Sequence, residues 1–382
     1  MSIRRRIKRR FDAKAVLFAG KKNRGDAWQV WELNLASRAV RRVTTTAEDA
    51  IRPMYLPGGR LVYARRRPDG FAMEAAALDG TDQLELTHAH GNALPVDVLE
   101  DGRILFESGF PLGTSGKPEL YLVYSDGSGV ESYRCDHGEA RWGGRQLRSG
   151  PTAGDVVFTH GRSLARFTSP LATETAIRVP AAEYAGPIAE EAAGEWVVAA
   201  RARGEARFAL MHVSTGAPGL TQIVADERDD LVEPAVIAPQ ATPNLHPSGL
   251  HEWTTANLLA LDVRVSRDGA LKETPVRVRV EAQGKEGGAV EMGEAPIEAD
   301  GSFLVKTPGD RPIRFALLDE NGAVVRAERG WFWARGGEQR ICVGCHAGPE
   351  HAPENRVPQV LVRSTIPADM TGTSFPAAQG GR

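Results

Sequence analysis

The sequence predicts an all-β protein, an N-terminal β-propeller followed by a small β-sandwich-like module, and three observations carry that prediction. A glycine or acidic-glycine turn followed by a β-rich run recurs, as G-G-R-L-V-Y-A-R at Gly58, D-G-R-I-L-F-E-S at Asp101, G-D-V-V-F-T-H at Gly154 and G-E-W-V-V-A-A-R at Gly194. The intervals are roughly 40 to 50 residues, the period of propeller blades. Hairpin signals follow, around Asp79-Gly80, Asp126-Gly127 and Gly216, where turn residues separate alternating runs. Finally, 41 glycines and 24 prolines exceed ordinary usage and fall mostly between short apolar runs, which implies many turns.

In chain order, residues 1–14 open M-S-I-R-R-R-I-K-R-R and read as a basic, solvated tail. A short run precedes each glycine turn, such as I-R-P-M-Y-L-P or A-L-P-V-D-V-L-E, so each unit has four strands. These sets lie at about 51–87, 93–134, 140–179 and 184–224. The two ends are complementary. L-V-E-P-A-V-I-A-P at 231–239 offers only an innermost strand, whereas A-V-L-F-A-G with W-Q-V-W-E-L-N-L-A-S-R-A-V-R-R-V-T offers three strands without one. Joining them predicts a fifth blade built from both ends, closing a five-bladed propeller over 15–239 with no free sheet edge. Six blades is the rival count, if 139–180 hides more than one.

A proline-containing linker, 240–253, follows. Over 254–340 the runs N-L-L-A-L-D-V-R-V, P-V-R-V-R-V-E-A, G-S-F-L-V-K-T-P, I-R-F-A-L-L-D and A-V-V-R-A-E-R read as five strands, with turns at Asp300-Gly301 and Asn321-Gly322. The last strand is expected to run through Trp331, Phe332 and Trp333 into a cysteine motif. Residues 341–382 form that motif and a tail with few long apolar runs, in which nothing helical is expected after Cys345.

Composition excludes several classes. Hydrophobic content of 42% and charged content of 25% describe an ordinary globular chain, and a formal net charge of −2 offers no global attraction for nucleic acid. No apolar run approaches the length of a membrane span. Three cysteines make no disulfide scaffold.

The strongest chemical signal is R-I-C-V-G-C-H-A-G-P-E-H, residues 340–351. Two thiols at this spacing, Cys342 and Cys345, can each add to a haem vinyl group, which leaves the imidazole of His346 as proximal iron ligand. One covalent haem c is therefore the expected cofactor. Zinc is the rival, because two thiolates and an imidazole are three of the four ligands of a tetrahedral site, with His351, Glu350 or Cys135 as the fourth. A thioredoxin-like pair is weaker, since that motif opens a helix in an α/β pattern.

For the distal iron position the candidates are His351, which otherwise reads as a surface histidine, and Met292 in V-E-M-G-E-A-P, which otherwise reads as a core methionine. His246 and His251 lie in the linker, within reach of either domain. Trp331, Phe332 and Trp333 can pack on a porphyrin or serve as half-buried core. Cys135, Asp136 and His137 stand together in Y-R-C-D-H-G, a loop with an incidental cysteine or a metal cluster of no standard spacing.

Haem c is attached outside the cytoplasm in bacteria, so the motif predicts a periplasmic or extracellular protein. The basic N-terminus resembles a signal n-region, yet A-V-L-F-A-G is too short for the apolar core of a signal peptide. The expectation is that the export signal is not visible in this sequence.

With both halves read, the order of parts resembles a known group. Propeller repeats like those of the Tol-system periplasmic propeller, then D-G-S-F-L-V-K-T-P, L-L-D-E-N-G and W-F-W-A-R-G-G-E-Q-R-I-C-V-G-C-H-A-G-P-E-H-A-P-E-N-R-V-P, are similar to bacterial relatives of the hydrazine synthase alpha subunit. The resemblance implies an exported c-type haem protein with a propeller. It does not imply hydrazine synthesis. In that enzyme a tyrosine four residues after the motif histidine binds iron while the histidine turns to a zinc, and the matching position here is Glu350.

Two functions follow from these expectations. The first is a mono-haem redox protein that passes electrons to a partner protein or acts on a small molecule, without nucleic acid or a membrane span. The second is a propeller binding or assembly protein in which the haem is structural or sensory.

Overall fold

The structure is a computed structural model that describes residues 2–109, 117–134, 139–217, 219–266, 269–284, 288–328, 330–344 and 356–371, with the side chains of residues 2–6 outside the description. The chain divides into two compact units, Met1–Pro247 and Ser248–Arg382.

The first unit contains five four-stranded meanders, each continuous in sequence. They are β1 (Ser2–Arg9), β2 (Ala15–Lys21), β3 (Gln29–Asn34) and β4 (Val40–Arg42); β5 (Ala50–Leu56), β6 (Arg60–Arg67), β7 (Gly70–Ala77) and β8 (Leu84–Glu85); and β9 (Leu94–Val98), β10 (Ile104–Ser108), β11 (Glu119–Val123) and β12 (Glu131–Ser132). The last two are β13 (Arg141–Gln146), β14 (Val156–His160), β15 (Ser163–Phe167) and β16 (Thr175–Ala176), then β17 (Glu183–Ala192), β18 (Glu195–Arg201), β19 (Ala209–Ser214) and β20 (Leu220–Val224). Each first strand packs on the preceding sheet: β5 on β1 and β2, β9 on β5, β13 on β9, and β17 on β13.

Middle strands such as β10 and β11 are buried on both faces, because a neighbouring blade covers each side. Apolar clusters accordingly lie between blades. Leu17, Tyr55 and Leu61 join the first and second, Leu120, Phe158 and Phe167 the third and fourth, and Leu147, Tyr184 and Trp196 the fourth and fifth. This is a five-bladed propeller.

The recurring Asp-Gly pairs have a common mechanism. In each, the Asp carboxylate accepts the amide N–H two residues on, from Thr81 at 2.9 Å, Arg103 at 3.0 Å and Ser128 at 3.0 Å. The glycine between takes a positive φ, +89° at Gly102, where a Cβ would stand 2.3 Å from the Asn244 carbonyl oxygen.

The ring closes differently from the sequence expectation. Residues 2–9, read as part of a solvated tail, form the innermost strand of the first blade, with Arg9 opposite Val16 and Lys8 opposite Leu17. The charges of Lys8 and Arg9 are tolerated because both line the polar cavity in the middle of the ring rather than a dry core. Residues 231–239, expected as that innermost strand, contain no strand. Pro234 and Pro239 have no N–H for a ladder, and Glu233 has a φ of +61°. The segment instead stitches the fifth blade to the first: the Leu231 amide donates to the Phe208 carbonyl at 2.9 Å, Arg9 donates to the Val236 carbonyl, and the Gln240 amide donates to the Phe11 carbonyl at 2.9 Å. Part of the stretch read as linker also belongs to this unit, since the Asn244 amide donates to the Glu100 carbonyl at 2.8 Å.

The second unit is a sandwich of two four-stranded sheets. Its strands among the described residues are β21 (Thr255–Ala260), β22 (Arg277–Gln283), β23 (Ala289–Pro296), β24 (Phe303–Pro308), β25 (Ile313–Leu318), β26 (Val324–Ala327), β27 (Gln339–Cys342) and β28 (Ala368–Asp369), together with a short helix, α1 (Gln359–Arg363). One sheet runs β27-β21-β24-β28 and the other β23-β22-β25-β26. Alternating inward residues, Ala256, Leu258 and Ala260 of β21 against Val278, Val280 and Ala282 of β22, fill one core with Phe303 and Phe315.

Three expectations are corrected here. Trp331, Phe332 and Trp333 do not continue a strand; only Phe332 pairs, in a single bridge with Ile313. The tail is not separate from the module, because β28 pairs with β24 and Met370 enters the core. A short helix, α1, does follow the motif, but it begins at Gln359, too far on to be opened by Cys345.

Candidate functional site

The C-x-x-C-H motif starts at the end of an edge strand. β27 lies parallel to β21 with Cys342 opposite Ala260, and the Cys342 carbonyl accepts the Leu261 amide at 2.9 Å. The Cys342 side chain packs against the sandwich core, and burial pushes its thiol above the usual range despite the opposing pull of Arg340.

Cys345, His346, Glu350 and His351 lie outside the described residues. The residues on either side of this gap are held at one place. Before it, Gly344 passes so close to the turn at Asp262 and Val265 that a Cβ would stand 2.6 Å from the Val265 carbonyl oxygen. After it, the Arg356 guanidinium donates to the Asp300 carbonyl at 3.1 Å and lies 3.8 Å from the Asp262 carboxylate.

Arg264 clamps the same turn. It holds both Asp262 oxygens at 2.8 Å and donates to the Asp300 carbonyl at 2.8 Å. The Gln359 amide then donates to the Asp300 carboxylate at 2.7 Å and the Val360 amide to the Ser302 hydroxyl at 3.1 Å. Burial raises the pKa of Asp262 and of Asp300, but Arg264 for the first and the Ser302 hydroxyl for the second more than reverse it, so both sit below the ordinary carboxylate range. They stay ionised at neutral pH.

The other candidates are dispersed. Met292 sits at a β-bulge of β23, between Glu291 opposite Glu281 and Gly293 opposite Val280, and packs on the core. Trp331 and Trp333 are buried, with Arg314 over the Trp331 ring at 4.8 Å and Arg340 over the Phe332 ring at 5.5 Å. These aromatics pack in the protein interior. His246 stacks on Tyr124 in the first unit at 3.9 Å, and His251 on Trp253 in the second at 5.3 Å. Cys135, Asp136 and His137 lie outside the described residues.

Sequence reading missed a second site in the middle of the propeller. A cavity of about 100 Å³ is lined by Lys8, Arg9, Tyr55, Asp97, Arg145, Arg148, Glu190 and the 234–240 segment. Each charge comes from a blade's innermost strand or the turn that follows it. Arg145 donates to Asp97 at 2.7 Å and to the Val96 carbonyl at 2.8 Å, and the Gln146 amide reaches the other Asp97 oxygen at 2.9 Å. Glu190 accepts from the Arg148 amide at 2.7 Å and the Ser149 hydroxyl at 2.6 Å. Burial pushes Asp97 up to about 6 against the pull of Arg148, and burial with the repulsion of Arg148 brings Arg145 down to about 10. The available signal was the charge at blade inner strands, Asp97 inside the apolar run V-D-V-L-E and the two arginines of R-Q-L-R.

With this geometry in place, known proteins become informative. The sequence model of a family described as "Hydrazine synthase alpha subunit middle domain" matches residues 257–347, from β21 through the whole motif. The chain resembles the hydrazine synthase alpha family. Among solved structures, Kuenenia stuttgartiensis hydrazine synthase superposes with a TM-score of 0.79 at 15% identity, covering 94% of this chain and 65% of that one. The chain thus spans just under two thirds of the hydrazine synthase chain, and at that identity the likeness is one of fold. TolB from Acinetobacter baumannii gives a TM-score of 0.46 at 15% identity over 62% of this chain and 56% of its own. The β-propeller domain of the Trilobed protease from Pyrococcus furiosus gives 0.38 at 13% over 59% and 82%. No curated protein sequence matches the chain. Among the described residues no helix is long and apolar enough to cross a membrane.

Proposed function

We propose that the chain is an exported redox protein carrying one covalent haem c, with Cys342 and Cys345 as thioether donors and His346 as proximal ligand. The observation that supports this reading is the convergence of Gly344 and Arg356 on one clamped turn. Gly344 and Arg356, the described residues nearest the motif on either side, both lie against the turn that Asp262, Arg264 and Asp300 form in the sandwich unit, which offers a fixed base for an attached group. The C-x-x-C-H donor set fits that group. Bound there, a haem supplies single-electron chemistry whose potential follows axial ligation and burial.

Cys342 anchors the attachment to the sheet through β21, and Arg340, alongside it, keeps a positive charge near the site. A periplasmic or extracellular location follows from the attachment chemistry. The electron partner is a redox protein or a small molecule, and the two differ in whether the sixth iron position is open.

The test is expression with an export signal and a haem c maturation system. The product should keep its haem colour on a denaturing gel and lose it in the Cys342→Ala, Cys345→Ala double variant. His346→Ala should give a high-spin spectrum, while Glu350→Ala and Met292→Leu should leave the spectrum unchanged, the latter because Met292 is committed to the core. A colourless, folded protein holding one zinc would overturn the reading. Carbon monoxide binding to the reduced protein would mark small-molecule chemistry over pure electron transfer.

A further inference from the structure

The middle of the propeller holds more positive charge than its partners neutralise. Lys8, Arg9, Arg145 and Arg148 line the cavity against two carboxylates, Asp97 and Glu190, an excess of two positive charges. Arg145 is matched to Asp97 at 2.7 Å. The others are not matched in this way. Among the described residues Lys8 donates to the Val96 carbonyl, at 3.3 Å; the Arg148 guanidinium donates to the Val98 carbonyl; and Arg9 donates to the Val236 carbonyl and, at 2.5 Å, to the Gln240 side-chain oxygen. The Arg9 Nε is buried with no hydrogen-bond partner among the described residues. Neutral carbonyls satisfy donors but cancel no charge, and uncompensated charge held away from water is unfavourable. The guanidiniums also repel one another, Arg148 acting on both Arg9 and Arg145, although Asp97 and Glu190 attract Arg9 more than Arg148 repels it, so the two carboxylates are shared among four cations.

The space is suited to a ligand. Its volume of about 100 Å³ is several times what one water needs, and Pro234, Ala235, Val236 and Gln240 form part of its wall. Guanidiniums present paired N–H donors that match two oxygens of one anion. We propose that the propeller's central cavity binds a small oxyanion, held by Arg9, Arg148 and Lys8. This site is separate from the cysteine motif and its test does not depend on haem.

The experiment is calorimetric titration of the full chain with sodium sulfate, and separately with phosphate, at pH 7.5 in a chloride buffer of constant ionic strength. One saturable site is expected. Arg148→Gln and Arg9→Gln should weaken it tenfold or more and Lys8→Met severalfold, each checked for native far-ultraviolet circular dichroism. Asp97→Asn removes an opposing charge and should tighten binding severalfold, a gain that misfolding does not produce. Selenate soaked into crystals should give its anomalous peak between Arg9 and Arg148. Lack of saturable binding of either anion, unchanged affinity across these variants, or a peak elsewhere would overturn the proposal.

Discussion

Between the sandwich sheets, Leu258, Val280, Phe303, Phe315 and their neighbours form a dry core, whereas the inner strands of the propeller meet around arginines, a lysine and two carboxylates. The propeller keeps its apolar packing between blades, so its middle does not have to contribute hydrophobic burial. The sandwich has only its middle to bury. This difference decides where each unit can host chemistry: the propeller at its centre, and the sandwich at an edge, where β27 delivers Cys342.

The contrast can be broken by substitution. Phe303→Ala, at a side chain 1% exposed, should cost about 3–5 kcal/mol in chemical denaturation, the ordinary penalty for emptying a dry core. A loss under about 1 kcal/mol would mean the sandwich middle is loosely packed. Gly102→Ala places a methyl against the Asn244 carbonyl at positive φ and should destabilise the propeller by about 1–3 kcal/mol in chemical denaturation.

The smallest effect is a pH dependence of the charged middle. With its folded pKa raised to about 6, Asp97 holds its proton more tightly in the folded than in the unfolded chain. Its contribution is therefore fully present below about pH 4, falls as pH rises to about 6, and is level above. Denaturation midpoints of wild type and Asp97→Asn, compared at pH 4 and pH 7, should shift in favour of the variant at the higher pH. A constant difference would show that the Arg145 ion pair offsets the burial of Asp97.

Much of this architecture was legible because local rules and the fold agree. The Asp-Gly turns at Gly80, Gly102 and Gly127 impose their conformation through the chain's own side chains, so they announce the blades. The errors fell where a long-range partner decides. Ser2–Arg9 reads as a tail until β2 offers it a ladder, and 231–239 reads as a strand until its prolines and Glu233 are weighed. β23, β27 and β28 were missed for the same reason, two of them being short and paired only in parallel with distant strands. The cysteine motif was legible as chemistry. Its clamped base was not, because Asp262, Arg264, Asp300 and Arg356 are ordinary surface residues until the fold brings them together.

The 231–240 segment gives the ring a clasp in place of a zipper. Among the described residues no interleaved strand locks the last blade to the first; the joint shows a few side-chain and carbonyl contacts from one irregular stretch. Such a joint can release while every blade keeps its hydrogen bonds. Amide exchange at Leu231 and Gln240, whose N–H groups donate across the joint, should then report openings far more frequent than global unfolding, and a single protease cut between Val236 and Gln240 should speed the passage of solutes to the centre without melting a sheet.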